Sequence, residues 1–365
     1  MPYIFIVILA SYLLGNIYVF TRGLQAIAHA PLWLRSIYIV VFWACVLLIV
    51  VMMLIRNSRA IAPNIGHILF LFGSGWLVFM LYMVIGLAIT DLIRVFNHSF
   101  HYGFITALIL TVGVLIYGYW NYQHPVKQVI DIDINKLSTG CDGLKIVAIS
   151  DLHLGLGTDR ALLRRTIAGI NAEKPDIILI GGDLIDNSIV PVIKLEMWRE
   201  LNELQAPQGI FMALGNHDYI SGIDKSIAFI REKTNICLLR DSVATLPCGL
   251  QIMGRDDRSH KRLPAEDLQL LVDASKPLII IDHQPVNLDE AERIGVDLQF
   301  SGHTHHGQVI PISWLTDKLF ELSYGYQKRG VTHYYVSSGI AIWGPPFRIG
   351  TNSEYVVFRI FQKKH

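Results

Sequence analysis

Aspartate, asparagine and histidine recur in this chain at the ends of short apolar runs. Residues 146–150 lead into Asp151-Leu152-His153, and 177–180 into Gly181-Gly182-Asp183. Residues 211–214 lead into Gly215-Asn216-His217-Asp218, and 278–281 into Asp282-His283. The last two runs are 298–301, before Gly302-His303-Thr304-His305, and 334–338, before Gly339. Carboxylate, amide oxygen and imidazole, with no thiolate, form a mixed N/O donor set. Such a set suits manganese, iron, zinc, or at times nickel and cobalt, better than calcium. Asp151, His153, Asp183, Asn216, His283, His303 and His305 are too many ligands for one tetrahedral ion. They are appropriate for two ions sharing a bridge. In α/β proteins, sites gather at the carboxyl ends of buried strands, so the repeated pattern predicts one convergent metal site.

The elements needed to position these residues follow from periodicity. A polar turn after His153 precedes residues 161–173, where Leu162, Leu163, Ile167 and Ile170 share one helical face. Thr158 or Asp159 can cap that helix, and Pro175 lies beyond its end. Strand, helix and strand in that order make a βαβ unit. A second helix is expected over 192–204. Residues 126–134 alternate as a half-buried strand, and further strands are expected over 249–253 and 354–361. Together they predict two packed sheets with helices outside.

The five blocks Asp151-x-His153, Gly182-Asp183-x-x-Asp186, Gly215-Asn216-His217-Asp218, His283 and Gly302-His303-x-His305 resemble the calcineurin-like metallophosphoesterase superfamily. The resemblance covers residues 126–360. It is closest to a branch of membrane-associated bacterial phosphoesterases with a Gly-His-Thr-His-Gly-Gly-Gln block. Here that block reads Gly302-His303-Thr304-His305-His306-Gly307-Gln308, with His306 in place of a glycine. The stretch from Ser337-Ser338-Gly339 to Phe347-Arg348 also resembles that branch. A Pro-Pro-Glu stretch expected soon after is replaced by Thr351-Asn352-Ser353-Glu354, which leaves the substrate within the branch unassigned.

The resemblance implies an α/β (α+β) four-layer sandwich of two mixed β-sheets flanked by helices. It assigns Asp151, His153, Asp183 and His305 to one divalent ion, with Asp183 bridging. Asn216, His283 and His303 complete the second. His217 would contact a phosphoryl oxygen or protonate the leaving alkoxide, with Asp218 orienting it. Two ions ~3.5–4 Å apart would activate a bridging water as hydroxide for in-line attack on phosphorus. Imidazole titrates in the range a proton donor needs. Arg348 is expected to clamp phosphate, because guanidinium matches its oxygens in a fork. Asp186 is expected to cap a turn or orient a ligand, His306 to be packed or to support a ligand, and His260 to be solvated. Lys328-Arg329 is read as a solvated turn.

The rest of the chain is of another kind. Hydrophobic residues make up 52% of the 365 and charged residues 17%, which is too apolar for an ordinary soluble protein. The formal net charge of +1 argues against a nucleic-acid partner. Most of the apolar excess lies in residues 1–123, where segments 3–20, 36–55, 67–96 and 102–119 approach or exceed the ~20 residues that cross a bilayer. Tyr18, Trp33, Tyr38, Phe96, Tyr117, Tyr119 and Trp120 near their ends suit an interfacial belt. The first segment is read as a retained helix, although Ala26-Ile27-Ala28 could be a signal-peptidase site. Asp91 and Arg94 read as a local pair near a helix end.

The domains are therefore placed at 1–123, a transmembrane region of four helices, and 124–365, the phosphoesterase domain. The chain is expected to be an integral multi-pass protein of the cell (inner) membrane. Arg56, Arg59, Lys127 and Lys136 on one side, against Arg22, Arg35 and Arg94 on the other, lean toward a cytoplasmic catalytic domain. Among the four cysteines, Cys45 reads as a packing residue. Cys237 and Cys248 could be bridged, but the unbridged reading is favoured, and cysteine usage does not settle the compartment.

The expected function is dimetal hydrolysis of a phosphodiester or pyrophosphate bond, in a lipid-linked substrate given the anchor. The enzyme alternative is a phosphomonoesterase or phosphoprotein phosphatase. The non-enzyme alternative is an inactive metal-binding scaffold or sensor, which should lack a ligand or the proton donor.

Overall fold

The computed structural model describes residues 2–55 and 61–363. It divides into two compact units, Met1–Trp120 with Gly344–Phe347, and Asn121–Trp343 with Arg348–His365.

The first unit holds four helices: α1 (Pro2–Ala26), α2 (Leu32–Ile55), α3 (Pro63–Phe96) and α4 (Gly103–Tyr122). All four are long and apolar enough to cross a membrane. Each contributes to a shared seam of Val19, Phe42, Val46, Met80, Met83, Leu87 and Ala107. Their outer faces expose apolar side chains such as Leu14, Val40, Leu54, Phe72 and Ile116. That pattern suits hydrocarbon as the surrounding solvent and would be costly in water. α1 runs past the expected end near Phe20. Its polar last turns stay helical because Arg22 finds Gln25 on its own helix and Asp91 on α3. Asp91 also accepts a 2.6 Å hydrogen bond from the Tyr18 hydroxyl. Asp91 is thus paired across helices, with Arg22 rather than Arg94. Arg56 and Arg59, used in the charge count, lie outside the described residues.

The second unit carries twelve strands: β1 (Val126–Ile134), β2 (Lys145–Ile149), β3 (Ile177–Ile180), β4 (Ile210–Met212), β5 (Cys237–Leu238), β6 (Ser242–Thr245), β7 (Gln251–Gly254), β8 (Leu278–Ile281), β9 (Leu298–Ser301), β10 (Gly325–Arg329), β11 (Thr332–Val336) and β12 (Glu354–Gln362). They form two six-stranded sheets, ordered β1-β12-β2-β3-β4-β5 and β10-β11-β9-β8-β7-β6. Both are mixed. β2, β3, β4 and β5 run parallel while β12 is antiparallel to β2. β7, β8, β9 and β11 run parallel, with antiparallel β6 and β10 at the edges.

The helices are α5 (Arg160–Ala172), α6 (Ile189–Lys194), α7 (Trp198–Leu201), α8 (Asn216–Ile220), α9 (Ile223–Lys233), α10 (Ala265–Gln269), α11 (Asp289–Arg293) and α12 (Ile312–Leu319). Alternation along the strands builds four layers. Ile146 and Ala148 point between the sheets, where they meet Ile252, Ile279 and Phe300. Val147 and Ile149 point outward to Leu163, Ile167 and Ile170 of α5 and to Phe229 and Ile230 of α9. Met253, Leu278 and Ile280 pack outward on α10 and α11. The Asp159 carboxylate caps α5, accepting from the Leu162 N–H at 2.8 Å.

Three expectations are corrected. The helix over 192–204 is two short helices, because Glu196 takes a left-handed φ of 50° that ends α6; the break turns both Met197 and Leu201 into the core. Lys328 and Arg329 are in strand β10 rather than a solvated turn, with Lys328 2.8 Å from Asp133 and Arg329 2.5 Å from Glu321. The disulfide is Cys141–Cys248, and Cys237 is free and exposed. The sequence reading favoured no bridge and weighed only Cys237 as a partner for Cys248. The 3-10 turn Thr139–Cys141 before β2 and the turn after β6 are brought together by the stacking of the two sheets.

Candidate metal centre

The predicted ligands come from the carboxyl ends of β2, β3, β8 and β9 and the start of α8. Those chain segments are bent unusually. Asp151, His153, Asp183, His303 and His305 all have left-handed φ, between 44° and 71°. Non-glycine residues reach that region at a cost, and such residues cluster at functional sites. Here the bends turn five side chains inward from strands that would otherwise run past one another. Backbone approach is equally tight. A Cβ at Gly302 would collide with Ser150 and Asp151, and one at Gly215 with the Asp183 carboxylate. Only glycine fits at either place.

Three groups of donor atoms result among the described residues, one of them, His153, Asp183 and His217, overlapping the other two. Asp151, His153 and His305 form one, and Asp183, His283 and His303 another, with the donor atoms of each group within 4.8 Å of one another. In the first, His153 Nε2 lies 3.1 Å from His305 Nε2, and His305 Nε2 lies 3.5 Å from Asp151 Oδ1. In the second, His283 Nε2 lies 3.2 Å from Asp183 Oδ2. Asn216 Oδ1 joins this group, 3.2 Å from His283 Nε2 and 2.8 Å from His303 Nδ1. Asp183 stands between the groups, with Oδ2 also 3.7 Å from His153 Nε2. All seven predicted ligands are therefore brought together.

Electrostatics shows why the cluster suits cations. Burial would raise Asp183 and Asp186, yet neighbouring imidazoles outweigh it and hold both well below the usual carboxylate range. Burial also opposes charge on His153 and His283. The carboxylates of Asp186 and Asp183, respectively, outweigh it and raise both rings. His303 is pushed down to about 4, and His305 falls well below its ordinary value, first by burial and then by the charge of the neighbouring histidine. Buried carboxylates here compete for too few protons, and neutral imidazoles sit among them. Divalent ions fit that donor set, since their ligands are deprotonated carboxylate and neutral imidazole. The outer nitrogens are also placed for ligation. His283 Nδ1 is 2.6 Å from the Gly181 carbonyl and His153 Nδ1 is 3.3 Å from Asp186, contacts that orient a ligating ring.

His217 opens onto this cluster. Its ring stacks edge-on to His153, with centroids 4.7 Å apart. Its Nδ1 lies 3.2 Å from Asp186 Oδ1, the oxygen that also faces His153. Asp186 is thus the carboxylate that faces His217 Nδ1. Asp218 is not: it is buried and accepts from the Ile185 and Gly215 N–H groups, each at 3.0 Å. Its charge is engaged in shaping the turn, and burial together with Asp183 pushes it up to about 7.

Arg348 is also redirected. It is 0% exposed, and its guanidinium donates to the carbonyls of His305, Ser338, Gly339 and Ala341 at 2.5–3.3 Å. A guanidinium so engaged has no fork to offer a substrate phosphate. It gathers the two chain segments that flank the cluster. His306 stacks on Tyr324 and lies 3.2 Å from Asp317, and exposed His260 stacks on Tyr219. Trp343, whose ring centroid is 6.1 Å from that of His217, was missed in the sequence because no spacing marks it.

Residues 144–307 match the family profile described as calcineurin-like phosphoesterase. An uncharacterized metallophosphoesterase of Campylobacter jejuni is 29% identical, covering 98% of this chain and 98% of its own length. One from Aquifex aeolicus is 34% identical, covering 63% of this chain and 89% of its own length. A "Transmembrane protein with metallophosphoesterase domain" of Danio rerio is 31% identical over 68% of this chain, which spans 61% of that relative's length. With this fold and this cluster, the chain belongs to the calcineurin-like phosphoesterase family. It is a metal-dependent phosphoesterase joined to four membrane-type helices.

Proposed function

We propose that the protein is a membrane-anchored dimetal phosphohydrolase that cleaves phosphodiester or pyrophosphate bonds, with a lipid-linked compound as substrate. The observation that carries the dimetal reading is Asp183 standing between two Asp/His groups, with His217 at their edge. Asp151, His153, Asp183 and His305 would hold one ion, and Asp183, Asn216, His283 and His303 the other. Manganese, iron and zinc all suit the donors. Bound divalent ions would lower the pKa of water and neutralise phosphoryl oxygens.

The chain's own residues do the rest. Asp186 Oδ1, 3.2 Å from His217 Nδ1, is placed to steady the ring on that side, which leaves Nε2 to hand a proton to the departing oxygen. Arg348 pins the His305 carbonyl and so the turn that carries His305. Asn216 supplies a neutral oxygen beside two imidazoles. The anchor supports a lipid-linked substrate, since it holds the site beside lipid headgroups.

The membrane side is argued by two features that disagree. The charge count leans cytoplasmic. The Cys141–Cys248 bridge favours an oxidising compartment, because disulfides are rare in reducing ones. The bridge weighs more, since four basic residues against three barely separate the two sides.

The test is hydrolysis of bis-p-nitrophenyl phosphate and p-nitrophenyl phosphate by detergent-purified protein with manganese. Diester cleavage abolished by Asp183→Asn and by His217→Ala is the expected result. Faster cleavage of the monoester would favour a phosphomonoesterase. No turnover of either, with two metals bound per chain, would count against the enzyme reading.

A further inference from the structure

Helix α12 is built inside out. It buries the small polar residues Ser313 and Thr316. It exposes Ile312 (46%), Leu315 (55%) and Leu319 (69%), which at i, i+3 and i+7 make one apolar stripe, and also Trp314 (61%). A surface helix ordinarily does the reverse. Trp343, 56% exposed, adds a further large apolar ring. Exposed apolar surface of this kind marks an interaction face.

That face borders the metal cluster. Phe320, directly after α12, has its ring 6.0 Å from that of His303. Asp317 on α12 pairs with His306, and Trp343 neighbours His217. Whatever covers the stripe therefore lies beside the mouth of the site.

We propose that α12 and Trp343 dock onto the surface of a lipid bilayer, so that the site opens at the headgroup layer. Three features select this occupant. The same chain carries four helices able to cross a membrane. Only Gln123, His124 and Pro125 separate α4 from β1, so an extended linker holds the start of β1 within about 14 Å of the helix end. The residues displayed, two tryptophans among aliphatic side chains with exposed Lys318 beside them, are those that settle at a membrane interface. The docking rests on the proposed lipid-linked substrate only for its purpose. The face itself is observed independently of any substrate.

The experiment uses the full chain in vesicles of phosphatidylethanolamine and phosphatidylglycerol, with Cys45→Ala and Cys237→Ser and the Cys141–Cys248 bridge intact. An environment-sensitive fluorophore is placed at Leu315→Cys, at Leu319→Cys, or at Glu203→Cys as the comparison. Glu203 is exposed in the loop that leads into the amino end of β4, away from the strand ends that carry the site. Docking predicts quenching at 315 and 319 by shallow doxyl-labelled lipid and not by aqueous iodide, with the reverse at 203. Iodide quenching at 315 and 319 overturns the proposal. Protection from both quenchers also overturns it, because a second copy or another protein would then cover the face.

A second measurement separates the face from the substrate. In the Leu315→Glu/Leu319→Glu variant, KM for diacylglycerol pyrophosphate in vesicles should rise about tenfold. Turnover of bis-p-nitrophenyl phosphate should stay unchanged. Equal loss on both substrates would make α12 merely structural. Lipid quenching at 315 and 319 without cleavage of any lipid substrate would keep the docking and remove the lipid-linked reading.

Discussion

Asp186 serves two imidazoles with one oxygen, 3.3 Å from His153 Nδ1 and 3.2 Å from His217 Nδ1. Asp186→Asn should therefore lower kcat about 10- to 100-fold, the usual effect of losing a carboxylate behind a functional histidine. Metal content, measured by mass spectrometry on the same samples, should fall far less, because all seven ligands remain. Asp218→Asn should behave differently. It weakens an acceptor for two buried N–H groups, so folding stability should drop by about 2 kcal/mol. The folded fraction should keep its turnover. If Asp218→Asn instead matched the kinetic loss of Asp186→Asn with no change in melting, the assignment of the two carboxylates would be reversed. Arg348→Met should cost about 3 kcal/mol or more, since it leaves several buried carbonyls without donors. The position of the His305 turn should become less defined in the same variant.

At the scale of elements, β11 inserts a histidine between the sheets' edges. His333 is fully buried, with Nδ1 2.8 Å from the Tyr326 hydroxyl on β10 and Nε2 3.1 Å from the Asp133 carbonyl on β1. Burial, followed by the charge of Lys328, lowers its pKa from 6.5. A folded pKa below the unfolded one means the unfolded chain binds the extra proton. The stability tied to neutral His333 is then complete above the unfolded value and lost as pH falls below it. Melting temperature should fall as pH drops below about 6.5, and His333→Gln should flatten that slope. An unchanged slope in the variant would show that the strand contacts tolerate the charged ring. Helix α12, which follows the His303/His305 turn after β9, instead serves the surface.

At the scale of the molecule, the Cys141–Cys248 bridge closes 107 residues and ties the turn before β2 in one sheet to the β6–β7 hairpin of the other. A loop of that size corresponds to about 5 kcal/mol of stabilisation when the unfolded chain is restrained. Reductant, or Cys141→Ala with Cys248→Ala, should lower the melting temperature of the phosphoesterase unit. Cys237→Ser should not. Removal of divalent ions with a chelator acts on the same unit. Asp151 and Asp183 are buried among imidazoles, and ions that bind only the folded state stabilise it by mass action. Melting should therefore fall on chelation and recover with added manganese. No response to either treatment would argue against a site that the fold depends on.

The strand-end blocks could be read in one dimension because each joins a buried run to residues of fixed chemistry. Six apolar runs became β2, β3, β4, β8, β9 and β11, and the ligands they introduce share one cluster. The four long helices were legible for a similar reason, since hydrocarbon imposes length and composition on any segment that crosses it. What the chain alone could not specify was which distant groups meet. Asp218 stands next to His217 in sequence, yet the helical turn sends its carboxylate to backbone N–H groups and leaves Asp186 as the ring's partner. Arg348 reads as a free cation until the fold closes four carbonyls around it. Cys248 lies 11 residues from Cys237 but bonds to Cys141, because two sheets stack there. Residue type and period are local properties, so the sequence by itself determined the chemistry available and the elements that carry it. Pairing depends on directions of side chains from separate strands, and only the tertiary structure decided those.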